Sequence, residues 1–163
     1  MASNKELARL NREIMDKFLS DLIEVVKKDC EDYFIKKMQH SVQEAVYDEY
    51  SPTVYSRREE RGGLKDPQNY NMQVFFDRDG RVCIYMKNLT RGVGAAYYID
   101  EGIVSGQNFY DWKKSKAYYY ATHGGFSRDF YTYMEVMVAG DAELERLIKK
   151  GMSKRGWKIN LRG

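Results

Sequence analysis

The stretch YNMQVFFDRDGRVCIYM, residues 70–86, decides the fold. In its first half Tyr70, Met72, Val74 and Phe76 alternate with more polar positions, and the second half alternates again. Alternation with a period of two is typical of a strand that has one buried face. Asp77-Arg78-Asp79-Gly80 lies between the halves and is typical of a turn. The stretch therefore predicts an antiparallel β-hairpin over residues 70–88.

Upstream of the hairpin, the period changes from two to between three and four. Apolar residues recur at this spacing from Leu7 to Val46, and residues 3–48 contain neither Gly nor Pro. This pattern predicts a long N-terminal helix over 1–48. One continuous helix of that length would measure about 60–70 Å. Two outcomes follow: the helix breaks near Lys27-Lys28-Asp29, or it finds an apolar partner on another chain.

A loop is predicted over 51–67, between the helix and the hairpin. It holds both prolines and the Gly62-Gly63 pair. The residue before Pro52 is disfavoured in the helical region, so the helix must end there. We interpret Pro52, Gly62, Gly63 and Gly102 as residues that the backbone geometry requires.

After the hairpin comes a Gly- and aromatic-rich segment, 92–125, and then two short helical patterns within 127–151. Ser127 and Asp141 are candidate N-caps, and Gly140 and Gly151 are candidate helix ends. Residues 152–163 are predicted to form a basic tail. A long helix, then strands, then helices indicates an α+β fold in a single domain, 1–163.

The composition is that of a globular chain. Of 163 residues, 43% are hydrophobic and 31% charged, and the net charge is only +3. No stretch approaches the roughly 20 apolar residues of a membrane span, and the N-terminus lacks a signal-peptide pattern. We therefore expect intracellular synthesis and no membrane partner. Cys30 and Cys83 lie far apart and are expected to be reduced core residues.

No constellation of catalytic, cofactor-binding or metal-ligating residues is visible. The chain has two histidines, His40 in the first helix and His123 in a Gly-rich turn, and neither has a ligand or nucleophile at a suitable spacing. We expect no catalytic residue, no cofactor and no metal. An enzyme built around His123 is the least favoured alternative.

Three ordered segments resemble one family of phage proteins. The first is Tyr50-Ser51-Pro52-Thr53-Val54-Tyr55-Ser56-Arg57-Arg58 with Gly62-Gly63-Leu64 after it. The others are Ala95-Ala96-Tyr97-Tyr98-Ile99-Asp100-Glu101-Gly102 and Gly125-Phe126-Ser127-Arg128-Asp129-Phe130. Together they resemble the head–tail neck or tail-completion proteins of long-tailed bacteriophages. Gly125 stands where that family usually has Pro, and the 58–63 loop is longer and more charged.

The resemblance implies a structural virion protein without catalysis. It implies a homo-oligomeric ring around the DNA channel, commonly six-fold, with neighbouring connector and tail proteins as partners. Ring interfaces are heterologous, so each subunit needs two different contact faces. The chain would be synthesised in the host cytoplasm and located in the neck or tail of the virion. Non-specific DNA contact in the channel is a further expectation.

Two groups of residues are candidates for contacts. Arg57, Arg58 and Arg61 are candidates for partner or DNA contact, with a solvated charged loop as the alternative. The aromatic residues Tyr110, Trp112, Tyr118 and Tyr119 are candidates for an interface, with ordinary packing as the alternative. The alternative function is a nucleic-acid-binding module that uses the 57–61 loop and the aromatic-lysine segment.

Overall fold

A computed structural model describes residues 3–48, 60–91 and 129–160 of the chain. Helix α1 spans Asn4–Glu24 and begins with a capping box. Ser3 Oγ accepts a hydrogen bond from the Glu6 amide at 3.3 Å, and Glu6 Oε2 accepts one from the Ser3 amide at 2.7 Å. These two bonds satisfy backbone donors that a helix start leaves unpaired, so α1 has a defined beginning.

The helical run is interrupted at Lys27-Lys28-Asp29. A break near these residues is one of the two outcomes that the sequence predicts for the long helix. Val25–Asp29 forms a π-helical turn, and the Cys30 amide donates to the carbonyl of Val25, five residues back. Cys30 itself leaves the helical conformation, and helix α2 then spans Glu31–Val42. A wider turn changes the direction in which side chains point. Val25 and Val26 are adjacent, yet both are fully buried.

A second π-helical turn, Gln43–Asp48, follows α2, and a short 3-10 helix, Pro67–Asn69, leads into the sheet. Helix α3 spans Phe130–Val138, and Asp129 is its N-cap. Helix α4 spans Ala142–Lys154, with Asp141 as the N-cap. Gly140 separates the two helices with φ of 71°, a left-handed conformation that glycine adopts without steric cost.

The hairpin consists of β1, Tyr70–Phe76, and β2, Val82–Asn88. Gly80 has φ of 76°, and the Gly80 amide donates to the Asp77 carbonyl. Asp77 Oδ1 also accepts from the amides of Asp79 and Arg81, so Asp77 organises the turn. Val74 is buried, whereas Asn71, Gln73 and Phe75 are exposed, which confirms the predicted inward face.

The predicted α+β class is confirmed: an N-terminal helix, an antiparallel hairpin and C-terminal helices. The chain divides into two compact units. Within the described ranges, the first unit contains 3–33, 72–85 and 140–160, and the second contains 34–48, 60–71, 86–91 and 129–139. The single-domain organisation stays a prediction.

None of the helices in the described part of the chain is long and apolar enough to cross a bilayer.

Candidate interaction surfaces

Most of the residues predicted from the sequence to make contacts or to fix the backbone geometry lie outside the described residues. These are Pro52, Arg57, Arg58, Gly102, Tyr110, Trp112, Tyr118 and Tyr119. Arg61, Gly62 and Gly63 are described. Arg61 is exposed, which suits a contact residue, and its predicted role stays a prediction.

Gly62 and Gly63 form a tight connection just before the hairpin, in the second unit. Gly62 has φ of 76°, and its amide donates to Asp66 Oδ2 at 2.7 Å. Gly63 is buried, and its carbonyl accepts from the side chains of Asn69 and Thr90 at 3.0 and 2.8 Å. The geometric role predicted for Gly62 agrees with its positive φ, which side chains rarely tolerate. The Gly63 carbonyl thus joins the connection to Asn69 and Thr90, the residues that flank the hairpin.

Two fully buried polar residues hold this connection, and the sequence did not reveal them. Asn88 Nδ2 donates to the Leu64 carbonyl at 2.7 Å, and Asn88 Oδ1 accepts from the Thr90 amide at 2.9 Å. The Tyr70 hydroxyl donates to the same Leu64 carbonyl at 2.8 Å, and burial is the main cause that raises the Tyr70 pKa. We call Gly63, Leu64, Tyr70, Asn88 and Thr90 the polar cluster. It is a structural element with no reactive group.

Helix α1 carries an apolar stripe that the described chain leaves uncovered. Every residue from 3 to 17 is exposed. Within this segment Leu7, Leu10 and Ile14 are spaced three and four apart, so they share one face, and Met15 lies beside them. Their exposures are 47%, 51%, 46% and 55%. We call these four residues the α1 stripe. Contiguous exposed apolar residues on a helix are typical of a contact surface.

The hairpin presents a second exposed apolar face. Phe75 on β1 is 47% exposed and Tyr85 on β2 is 51% exposed. The hydrogen bonds from Asp77 to Arg81 and from Leu89 to Asn69 fix a register that pairs Phe75 with Cys83. The outward residues of the two strands are Asn71, Gln73, Phe75, Cys83, Tyr85 and Lys87, and none of them is acidic. We call these six residues the hairpin face.

Where α1 meets α4, the first unit is closely packed. A Cβ placed on Gly151 would lie 2.6 Å from Val25 Cγ1 and 2.7 Å from Asp29 Oδ2. Gly151 is therefore needed for the close approach of α4 to the π-helical turn. The sequence interpretation of Gly151 as a helix end is wrong, because α4 continues to Lys154 and Met152 is fully buried.

Residues after Met152, in the segment predicted as a basic tail, pack against the first helical run. Arg155 binds Asp29 Oδ2 at 3.0 Å and lies 3.7 Å from Glu24 Oε2. Trp157 Nε1 donates to Asp21 Oδ2 at 2.7 Å, and its ring meets Phe18 edge to face with centroids 5.2 Å apart. We call Arg155 and Trp157 the C-terminal clamp. Phe18 lies on the same face of the helix as the α1 stripe, one turn further along, so the clamp covers this face at Phe18.

The clamp supports a stability prediction. Replacing Trp157→Phe keeps an aromatic ring against Phe18 but leaves the Asp21 carboxylate without its donor. We expect the free energy of unfolding to fall by about 1–2 kcal/mol, because hydrogen bonds to charged groups are stronger than neutral ones. Urea denaturation followed by circular dichroism measures this. The neighbouring exposed Lys158→Ala is the control and should change stability by less than about 0.5 kcal/mol. An equal effect of both substitutions would contradict the clamp.

The described residues outside these surfaces offer little reactive chemistry. His40 Nε2 lies 3.1 Å from Glu44 Oε1 on the exposed side of α2. Both cysteines are free, and burial raises the pKa of Cys30 to about 11, so its thiol stays protonated at neutral pH. Across 3–48, 60–91 and 129–160, no group of three His, Cys, Asp or Glu residues could hold a metal ion. His123 lies outside these ranges.

Comparison with known proteins gives one result. No curated protein and no solved structure is significantly similar to the chain. A family model, YomN, matches residues 6–154, which is most of the 163 residues and includes all the elements from α1 to α4. The chain belongs to the YomN family, a phage-derived protein family of the SPbeta type.

Proposed function

We propose that this phage-family protein is a structural virion component of the neck. In this proposal it is a tail-completion or head–tail joining subunit that assembles into a ring around the DNA channel and has no catalytic activity. It is made in the host cytoplasm and ends in the virion, next to connector and tail proteins. Membership of a phage-derived family supports the phage part of the proposal.

The α1 stripe is the observation that carries the structural role. A helix gains most of its stability in a protein from packing of its apolar face. In residues 3–17 that face is present but not covered by the part of the chain that the structure describes, while at Phe18 Trp157 of the clamp packs against it. One part of this apolar face of α1 is covered within the chain and the other part is exposed. This arrangement supports the proposal that another molecule packs against the exposed part.

We propose that a second copy of this chain covers the α1 stripe through its hairpin face. The two surfaces differ, as a heterologous ring contact requires. Phe75 and Tyr85 provide the aromatic area that is enriched at protein interfaces.

Deletion of the gene tests the role at the neck. We expect a phage lacking this chain to produce filled heads and complete tails that are not joined, as seen by electron microscopy of the lysate. Supplying the chain from a plasmid should restore joined, infectious particles. Joined and infectious particles in the absence of the chain would contradict the proposal.

A further inference from the structure

The solvent-facing side of α4 is basic along its C-terminal half. Arg146, Lys150 and Lys154 are spaced four apart, so they lie on one side of the helix, and all three are exposed. Lys149 and Ser153 lie on the same side, and Lys158 follows the helix and is also exposed. After Glu145 the sequence contains no acidic residue. We call Arg146, Lys149, Lys150, Lys154 and Lys158 the α4 basic face.

The ion pairs divide these cations into two groups. Lys149 is bound to Glu145 at 3.3 Å, Arg146 lies 3.9 Å from Glu143, and Arg155 is used by the clamp. Lys150, Lys154 and Lys158 have no acidic partner among residues 3–48, 60–91 and 129–160. The helix dipole favours a cation in the last turn, at Lys154, but it does not explain Lys150 or Lys158.

We infer that the α4 basic face binds the phosphate backbone of duplex DNA without reading its sequence. Like charges four apart on a helix repel one another, and an external polyanion removes this repulsion. Protein interfaces are depleted in Lys and enriched in aromatic residues, and no large apolar residue of α4 is exposed in the described chain. A row of flexible cations is the chemistry that contacts phosphates independently of sequence.

DNA binding by α4 and Lys158 does not depend on the role at the neck. It also differs from the nucleic-acid alternative based on Arg57, Arg58 and Arg61, since it uses residues near the C-terminus. A protein with no role at the neck could still bind DNA through these residues, and a neck protein could function without binding DNA through them. Separate experiments therefore test the two proposals.

The test is fluorescence anisotropy with a labelled random-sequence duplex of about 30 base pairs, at about 50 to 200 mM salt. Three phosphate contacts give a slope of log K against log salt of about −2.7, or about a 40-fold loss over that range. The variant Lys150→Gln/Lys154→Gln/Lys158→Gln should bind at least about tenfold more weakly at 50 mM salt and lose most of the slope.

A matched control separates the position of the charges from their number. Lys5→Gln/Lys27→Gln/Lys36→Gln also replaces three exposed lysines, so each variant lowers the net charge from +3 to 0. The control should bind DNA within about twofold of the unmodified protein. Equal weakening in both variants, no DNA binding by the unmodified protein, or competition by polyglutamate as strong as by unlabelled DNA would each overturn the inference. Circular dichroism checks that both variants keep their helices.

Discussion

Asn88→Leu should lower the free energy of unfolding by about 3 kcal/mol, because it leaves buried polar groups unpaired. The side chain is fully buried, and leucine has the same number of side-chain heavy atoms with the same branching at Cγ. Its loss removes the side-chain acceptor of the Thr90 amide and a donor to the Leu64 carbonyl, to which the Tyr70 hydroxyl also donates. A buried backbone donor without a partner costs about 1–3 kcal/mol, and Thr90 is fully buried.

Urea denaturation followed by circular dichroism measures the effect, and Thr90→Val gives a graded comparison. This substitution keeps the shape and all backbone bonds but removes the hydroxyl that donates to Gly63 and accepts from Asn69. We expect about 1–2 kcal/mol for Thr90→Val. Because the two residues share one cluster, the double variant should cost less than the two single values together. A loss below about 0.5 kcal/mol for Asn88→Leu, the range of surface substitutions, would contradict the structural role of the polar cluster.

Replacing the α1 stripe should abolish self-association without unfolding the chain. The triple variant Leu7→Gln/Leu10→Gln/Ile14→Gln keeps residues of good helix propensity on an exposed helix. Each leucine or isoleucine has about half of its side chain left to bury, worth about 1 kcal/mol. Three of them weaken association by about 3 kcal/mol, or roughly a hundredfold in the association constant. Sedimentation velocity over a range of protein concentrations measures this.

The control places the same number of glutamines on the opposite side of α1. Arg9→Gln/Arg12→Gln/Asp16→Gln changes three exposed residues that lie away from the stripe. The control should associate like the unmodified protein. If the control and the stripe variant dissociate equally, the apolar stripe has no special part in association, which contradicts the proposal. If neither dissociates, another surface holds the subunits together.

Local periodicity in the sequence predicted the elements that depend on nearby residues. The spacing from Leu7 to Val46 gave the helices, and the alternation from Tyr70 to Met86 gave the hairpin with its inward face. Asp141 and Gly140 were also interpreted as a cap and a helix end, and the structure agrees. These features need only the residues within one or two turns, so a pattern is enough to find them.

Contacts between distant residues were not predictable in this way. Asn88 and Thr90 are ordinary polar residues until the fold brings them to Gly63 and Leu64, more than 20 positions away. The segment after Met152 resembles a solvated tail because it is rich in lysine and glycine. Trp157 was the available signal, since a large aromatic residue in a polar segment usually packs against something. A glycine at position 151 is typical of a helix end, but in the structure it allows a close contact between α4 and Val25. The sequence does not show how near Val25 lies, so it cannot distinguish the two roles.

The central claim is that α1 joins copies of this chain in an assembly. Light scattering of the purified 19.2 kDa protein, alone and mixed with connector proteins of the same phage, tests it most directly. We expect the chain alone to form a closed assembly whose mass is a whole-number multiple of 19.2 kDa, or the mixture to form one that exceeds the mass of the connector by such a multiple, and we expect the α1 stripe variant to form neither. A monomer of 19.2 kDa under both conditions, with no assembly joined, would contradict it.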